Sequence, residues 1–314
     1  MKRLLNRSNS LRIIYYHRLN ANNDSYYFNT GITPAIFKQQ LQELSKNFKI
    51  IPLSEAMEMG NNEFQNHLCI SFDDGFRECY DVILPILKAL KLKATFFITE
   101  KCINNQDLLW RNKLLAIQNL VLPQNFNKIK TAFSEKYHLP LTDNLIQSSN
   151  VWNMASKDEM ADYIWGMAQI GSKKDYLEQH KPYMTESQIK SLLRDGFEIG
   201  CHTYSHPFCN KLNKAEIDEE IIKSSKRLAD RFSTRCDTFS YPFGKSASIE
   251  NEKYILNNSD LKILMGINDS LSNQLPSSHW ERIGMERTYT KSMYAFYVSS
   301  RITSIMRQKT QLTS

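Results

Sequence analysis

The sequence has few of the residues that mark special classes of protein. Its 314 residues include only 6 Cys, 10 Gly and 9 Pro, which argues against a disulfide scaffold and a low-complexity chain. The cysteines show no Cys-x-x-Cys spacing, and reduced thiols in a cytoplasmic protein fit this pattern best. No apolar secretion-signal core follows Met1, and no apolar run of about 18 residues appears. We therefore expect a globular cytoplasmic protein without a transmembrane segment, with peripheral membrane attachment left open.

The charge balance is the compositional feature that indicates a partner. The formal net charge is +7, and the sequence pI is about 8.9. Such a charge suggests an acidic glycan, a nucleotide-linked or lipid-linked sugar, or a phospholipid surface. The basic residues are scattered rather than grouped, which favours an ordinary solvated surface instead. No motif supports nucleic-acid binding, and the composition does not predict an oligomeric state.

Strand and helix patterns alternate over most of the chain. Short apolar runs predict buried strands, and amphipathic stretches with N-cap residues predict helices between them. The predicted strands are 11–16, 48–51, 67–72, 94–99, 197–201 and 237–241, with weaker candidates at 261–266 and 282–285. The predicted helices are 33–46, 54–59 closed by Gly60, 76–91 with a kink at Pro85, 185–194 and 214–232. This alternation indicates an α/β fold with a parallel sheet.

Residues 101–183 interrupt the alternation. Apolar residues at helical spacing predict helices joined by polar loops there, and Trp110, Trp152 and Trp165 fit a helical core better than a sugar-stacking surface. A (β/α) barrel accepts insertions at the C-terminal ends of its strands, where its active site also lies. We therefore predict a barrel from residues 1–100 and 184–300, a helical insertion at 101–183 in a position to cap the site, and a C-terminal tail at 301–314.

Two adjacent carboxylates follow one of the predicted strands. Asp73 and Asp74 lie where strand 67–72 ends, and Gly75 lets the chain turn sharply into the next helix. Such a pair suits a hydrolase in which one carboxylate binds a metal ion and the other is the general base. The motif is weak alone, because Asp-Gly is also a common turn dipeptide.

Two histidines follow another predicted strand. His202 and His206 come directly after Cys201, four residues apart. If residues 203–205 form one helical turn, both imidazoles face the same way and can chelate one ion, with Asp74 as a third ligand. A histidine pair at this spacing also arises readily by chance, so the pair acquires weight only together with the carboxylates.

Taken in order, these segments resemble the polysaccharide deacetylase family, also called the NodB-homology domain. The resemblance is carried by Phe72-Asp-Asp-Gly75, Ala94-Thr-Phe-Phe97, His202-x-x-x-His206 and Phe239-Ser-Tyr-Pro-Phe-Gly244. It covers roughly residues 10–100 and 184–290. It implies a distorted or incomplete (β/α) barrel and a divalent metal ion, usually zinc, with cobalt or nickel as alternatives.

The resemblance also implies roles for individual residues. Asp73 is expected to be the general base, while Asp74, His202 and His206 hold the metal. The segment Tyr241, Pro242 and Phe243 is expected to contact substrate, and a backbone N–H within it is a candidate donor to the oxyanion.

Two departures from the family pattern affect the catalytic roles. Many members have an arginine where this chain has Ser240, and a tyrosine where it has Phe243. Arg282, near a late strand, is a candidate replacement for that arginine, with an ordinary core-edge arginine as the alternative. The family's late Leu-x-His motif is absent, and His279 is the one late candidate.

His17 is the better candidate for the general acid. It closes the first predicted strand in Tyr15-Tyr-His-Arg18, and a barrel brings all strand ends around one site. A structural histidine is the alternative explanation for this residue.

The function that follows is a metal-dependent deacetylase. We expect it to hydrolyse the N-acetyl group of an amino sugar in a glycan, a lipid-linked intermediate or an activated sugar. The same residues would also serve an O-acetyl esterase or another amidase. A catalytically inactive barrel that binds a glycan or a protein is a third hypothesis, favoured by the missing arginine and late histidine.

Overall fold

Parallel strands form the centre of this computed structural model, which describes residues 11–20, 32–59, 64, 66–267 and 278–286. Neighbouring strands pair in parallel, in the order β8-β7-β6-β5-β4-β3-β1-β9, and β2 pairs with β3. The strands are β1 (Arg12–Tyr16), β2 (Lys49–Ile50), β3 (His67–Phe72), β4 (Thr95–Ile98), β5 (Glu198–Cys201), β6 (Thr238–Ser240), β7 (Ile263–Gly266), β8 (His279–Glu281) and β9 (Ile283–Gly284). The expected tail at 301–314 and the predicted helix end at Gly60 lie outside the described residues.

The two ends of this strand order are joined by one residue. β8 pairs with β7 and β9 pairs with β1, so Arg282, which stands between β8 and β9, lies where the ring closes. The result is a nearly closed parallel barrel surrounded by helices, which confirms the predicted (β/α) barrel. Aromatic rings fill part of its core, where Phe72 stacks between Tyr16 and Phe96 at centroid distances of 5.7 and 5.0 Å.

Helices connect the barrel strands. They are α1 (Pro34–Ser45), α2 (Leu53–Glu58), α3 (Leu84–Ala89), α9 (Glu186–Arg194), α10 (Lys214–Ile217), α11 (Lys223–Phe232) and α12 (Ile249–Asn257). Local sequence explains several starts: Thr33 accepts a hydrogen bond from Ile36 N–H, and Thr185 with Gln188 forms a capping box. α12 was not predicted, although Ser248 caps it through Asn251 N–H.

Two predicted helices differ from expectation. The segment predicted as one helix at 76–91 contains a π-helical turn at Cys79–Ile83 directly before α3, and Pro85 is the second residue of α3. The backbone stays helical through Ile83 and Leu84, so Pro85 lies inside a longer helix, next to the π-helical turn. The segment 214–232 is likewise divided by a π-helical turn at Asp218–Ile222.

The segment between β4 and β5 is helical. It contains a 3₁₀ stretch (Glu100–Asn105), α4 (Trp110–Leu120), α5 (Pro123–Tyr137), α6 (Leu145–Ser148), a 3₁₀ turn (Ser149–Val151), α7 (Lys157–Ala168) and α8 (Lys173–His180). Trp110, Trp152 and Trp165 are buried, as the core interpretation predicts. Within the described residues, no helix combines the length and the apolar character needed to cross a membrane.

The insertion contacts the loop that carries the two histidines. Trp110 Nε1 donates a hydrogen bond to His206 O at 2.7 Å, and Lys157 Nζ donates to Ser205 Oγ at 2.6 Å. Lys101 N also donates to Tyr204 O at 3.0 Å. The inserted helices therefore hold the histidine loop from outside the barrel.

Candidate active site

A cavity of about 360 Å³ lies between the carboxyl ends of the strands and the helical insertion. From the barrel side it is lined by several predicted site residues: His17, Asp73, Asp74, His206, Tyr241 and Phe243. From the insertion side it is lined by Leu109, Arg111, Asn112, Leu115 and Ile146. The parallel topology explains the convergence, because residues that follow strand ends meet at the same end of the barrel.

Arg282 binds Asp73 through two parallel hydrogen bonds. Its two terminal nitrogens donate to Asp73 Oδ1 at 2.7 Å and to Oδ2 at 2.8 Å, and Ser240 Oγ donates to Oδ2 at 3.2 Å. Burial alone raises the pKa of the Asp73 carboxyl, but the charge and hydrogen bonds of Arg282 outweigh it and lower that pKa below its usual value. Asp73 is therefore held ionised and fixed in orientation.

Asp74, His202 and His206 converge on one point. Asp74 Oδ1 lies 3.2 Å from His202 Nε2 and 3.0 Å from His206 Nε2, and the two Nε2 atoms are 3.2 Å apart. His202 Nδ1 lies 2.8 Å from Ser240 O, so its proton is on Nδ1 and the Nε2 lone pair faces the other two groups. Burial lowers the pKa of His206, which favours the neutral, ligating form of that imidazole.

The donor set fits a divalent metal ion. Bonds of about 2.0–2.2 Å from one ion to two imidazoles and a carboxylate place the ligand atoms roughly 3–3.5 Å apart, and the three atoms lie within that range. Asp74 Oδ1 is buried and accepts no hydrogen bond within the part of the chain that the structure describes. A cation shared by these atoms would satisfy this buried oxygen, and the three residues together form a candidate metal cluster.

The backbone around this cluster is strained. Residues 203–205 do not form the helical turn that was considered for them: Thr203 and His206 instead have φ angles of 68° and 63°. Asp74 and Gly75 are also left-handed, at 72° and 73°. Left-handed backbone is unfavourable for a β-branched residue such as Thr203 and concentrates at functional sites. The imidazoles converge through these turns rather than through helical spacing.

His17 lines the cavity and contacts an acidic residue. Its Nδ1 lies 2.6 Å from Glu286 Oε2, and its side chain is 27% exposed. Burial lowers the pKa of His17, but the charge and hydrogen bond of Glu286 outweigh this and raise it to about 10. This shift favours the protonated form of the imidazole, which lines the cavity.

The third motif contributes two side chains to the cavity. Tyr241 and Phe243 line it, whereas Pro242 is buried and is not among the lining residues. Tyr241 N donates to Met265 O at 3.0 Å, and proline has no N–H. Within this segment, Phe243 N–H is the remaining candidate donor to an oxyanion. Phe243 also has a left-handed φ of 57°.

His279 does not line the cavity. Its Nδ1 lies 2.7 Å from Glu252 Oε1, its Nε2 lies 3.3 Å from Glu281 Oε1, and its ring stacks on Tyr241. Burial lowers the pKa of His279, but hydrogen bonds to the two glutamates raise it to about 9. This histidine is part of a buried charged cluster behind the site.

Three residues that the sequence did not single out take part in the site. Glu286 binds His17, and Arg111 and Asn112 line the cavity from α4. No motif marks them, and Glu286 is 269 residues from His17 in sequence.

A parallel barrel with a carboxylate and an Asp-His-His cluster at its strand ends is an architecture of hydrolases. The family model for polysaccharide deacetylases matches residues 60–262. This span exceeds half of the chain and includes both motifs and the segment around Tyr241. The chain belongs to the polysaccharide deacetylase family. No curated protein sequence matches it.

Solved structures agree on the fold. A structure of IcaB from Ammonifex degensii is 14% identical, with 94% of this chain and 98% of that chain covered and a TM-score of 0.58. A polysaccharide deacetylase from Bacillus cereus is 13% identical over 92% of this chain and 68% of that chain, with a TM-score of 0.57. The deacetylase PplD of Streptococcus pyogenes, solved with acetate, is 17% identical over 90% and 97%, with a TM-score of 0.56.

Proposed function

We propose that this protein is a metal-dependent deacetylase that hydrolyses the N-acetyl group of an amino sugar. The observation that carries the proposal is the arrangement of Asp73, fixed by Arg282, beside the cluster of Asp74, His202 and His206 in one cavity. This places a candidate base next to a candidate metal site. The expected substrate is an N-acetylhexosamine in a glycan, a lipid-linked intermediate or an activated sugar, and the cytoplasm is the proposed location.

The proposed roles follow from the chemistry of each group. Asp74, His202 and His206 would hold the ion, for which we propose zinc, with cobalt or nickel as alternatives. When bound, a divalent ion polarises a carbonyl oxygen and acidifies water. Asp73 accepts a proton from the attacking water, which adds to the acetyl carbon. Arg282 orients Asp73 and keeps it ionised.

Two further groups complete the reaction. The backbone N–H of Phe243 is proposed to donate to the oxyanion of the tetrahedral intermediate. His17, protonated beside Glu286, donates a proton to the leaving nitrogen as the carbon–nitrogen bond breaks. Acetate and a free amine are the products.

A second candidate function keeps the same site but changes the bond. Hydrolysis of an O-acetyl ester needs the same base, ion and oxyanion donor, so substrate profiling must separate it from amide hydrolysis. The inactive-barrel hypothesis loses one of its two arguments, because a guanidinium contacts Asp73 despite the serine at position 240.

The direct test is acetate release by zinc-loaded protein from N-acetylated and O-acetylated sugars. We expect release from an N-acetylated sugar, and a decrease of about 10²- to 10⁴-fold in the Asp73→Asn variant, since that is the usual contribution of a general base. Asp143→Asn is the matched control, because its carboxylate is 82% exposed and pairs only with Lys130 among the described residues. Equal release by wild type and Asp73→Asn would contradict the assignment of the base.

Metal binding is tested separately by measuring bound zinc after dialysis. We expect one ion per chain in the wild type and in Asp73→Asn, and a large loss of bound zinc in His202→Ala. Wild-type protein that retains no metal and takes up neither zinc nor cobalt would contradict the enzyme proposal.

A further inference from the structure

The cavity has one charged residue on its insertion side. Leu109, Leu115 and Ile146 make much of this wall apolar, and Arg111, near the start of α4, is the charged exception. Arginine next to apolar surface is a common element of sites that recognise carboxylates and phosphates.

Arg111 contacts aromatic rings rather than a carboxylate. Its guanidinium carbon lies 4.8 Å from the centroid of Phe243, 5.7 Å from Trp110 and 5.8 Å from Phe208. Within the described residues, the structure shows neither an ion pair nor a hydrogen bond for its guanidinium. Burial without a counter-charge lowers the pKa of Arg111. The guanidinium is therefore held in position by ring contacts, with its N–H donors available.

The other ionisable groups of the cavity already have partners within the site. Arg282 binds Asp73, the two histidines face Asp74, and Glu286 binds His17. In the described part of the cavity, Arg111 is thus the cation for which no carboxylate partner is seen. An anionic ligand would supply this missing partner without breaking the other contacts of the cavity.

We propose that Arg111 determines specificity by binding an anionic group, a carboxylate or a phosphate, on the amino-sugar substrate. This inference rests on the proposed deacetylase function and names its substrate class. A guanidinium presents two parallel N–H donors to either group, which gives stronger and more directional binding than a lysine would. The formal net charge of +7 also favours attraction of an anionic substrate.

The geometry places the anion close to the reacting acetyl group. The Phe243 ring lies 4.5 Å from the ring of His206 and 4.8 Å from the guanidinium of Arg111, so one aromatic ring separates the metal cluster from the cation. The cavity volume of about 360 Å³ is near the lower end for ligand pockets. The anionic group therefore belongs to the acetylated sugar itself or to the group attached directly to it.

Binding to the zinc-loaded protein tests this inference without relying on turnover. The probes are N-acetylglucosamine, its 1-phosphate, and an N-acetylated amino sugar with a carboxylate at C6, titrated calorimetrically. We expect at least one of the two anionic sugars to bind about 10- to 100-fold more tightly than the neutral one, as charge-assisted hydrogen bonds predict. The two anionic probes distinguish a carboxylate from a phosphate.

Two variants identify the residue responsible. Arg111→Gln is expected to lose the preference and bind the neutral sugar as the wild type does, whereas Arg111→Lys retains part of it. The inference is overturned if the wild type shows no preference for either anion. It is also overturned if Arg111→Gln weakens the binding of neutral and anionic sugars equally. If Arg111→Gln does not fold, the inference is tested with Arg111→Lys and with the salt dependence of wild-type binding. A preference for anionic sugars that does not weaken with salt also overturns the inference.

The outcome is separable from that of the proposed function. Anion-selective binding that depends on Arg111, with no acetate released from any probe, supports the role of Arg111 and contradicts the deacetylase. Acetate release at equal rates from neutral and anionic sugars, together with equal binding, supports the deacetylase and contradicts the role of Arg111.

Discussion

The barrel and the insertion each contain a fully buried cation, and they satisfy it differently. In the barrel, Arg282 binds one carboxylate, Asp73, in a bidentate arrangement. In the insertion, Lys113 lies 3.1, 3.3 and 2.9 Å from the carboxylates of Asp107, Asp158 and Asp162. The arginine fixes the direction of one carboxylate, whereas the lysine is shared among three.

This difference indicates different purposes. A guanidinium fork specifies an orientation, which a general base requires, while an ammonium group behaves as a point charge that can join several helices. Burial raises the pKa of Asp107, but Lys113, Lys101 and Lys173 outweigh it and lower that pKa below its usual range. The network is therefore redundant in a way that the barrel pair is not.

The largest effect is expected from breaking the barrel pair. Arg282→Met leaves Asp73 buried without its counter-charge, so the free energy of unfolding should fall by about 3–5 kcal/mol. Urea denaturation measures this change, and acetate release should be lost along with it. Arg282→Lys keeps the charge without the fork and should recover stability more than activity. Recovery of both to the same degree would show that orientation of Asp73 is unimportant.

The corresponding change in the insertion should cost less. Lys113→Met leaves Asp107 in contact with Lys101 and Lys173, so we expect a loss of about 2–3 kcal/mol, below the usual range for a broken buried pair. Zinc content should not change. Lys130→Met is the matched control, because Lys130 pairs with the exposed Asp143 and should alter stability by less than about 0.5 kcal/mol. A loss in Lys113→Met as large as that in Arg282→Met would remove the distinction between the two regions.

The pH dependence of the barrel side is tested at His17. Its pKa of about 10 lies above the ordinary 6.5, so its contribution to stability is fully present below pH 6.5 and is lost as pH rises through 10. Glu286→Gln removes the largest of the interactions that raise this pKa, while Asp74 and Asp73 remain, so NMR titration of metal-free protein should show a His17 pKa clearly below that of the wild type. The pKa of His279, which is about 9 beside Glu252 and Glu281, should not change in this variant. An unchanged pKa of His17 would mean that Glu286 is not its partner in solution.

The smallest effect concerns the contact between the two regions. Trp110→Phe removes the hydrogen bond to His206 O, and a loss of about 1 kcal/mol in zinc binding is expected, which is roughly fivefold in affinity. Trp165→Phe removes a similar bond to Gly171 O within the insertion and should leave zinc affinity unchanged. Equal effects in both variants would indicate a general loss of packing.

The sequence predicted that the carboxylates and the two histidines lie close together, because this proximity follows from the topology of a parallel barrel. Asp73, Asp74, His202 and His206 each follow a buried strand, and parallel strands in a barrel end together. The local geometry was not predictable, since Thr203 adopts a left-handed φ that its side chain disfavours and that only surrounding contacts impose. Helical spacing of the two histidines was consequently the wrong reason for their convergence.

Long-range partners were the harder part. Arg282 was a candidate with an equally plausible structural alternative, and its contact with Asp73 depends on how β8 and β9 close the barrel. No sequence motif marked Glu286 as the partner of His17. Arg111 lies in an insertion without a motif, so its position in the cavity follows only from the packing of α4 against the barrel.

The closing strand also has a consequence for protein synthesis. Asp73 and Arg282 are separated by 209 residues, which at 5–20 residues per second corresponds to about 10–40 s of translation. Until that segment leaves the ribosome, the barrel lacks its last strand and Asp73 lacks its guanidinium. The proposed base therefore gains its orienting partner only after Arg282 has been added, so the candidate active site is completed together with closure of the barrel.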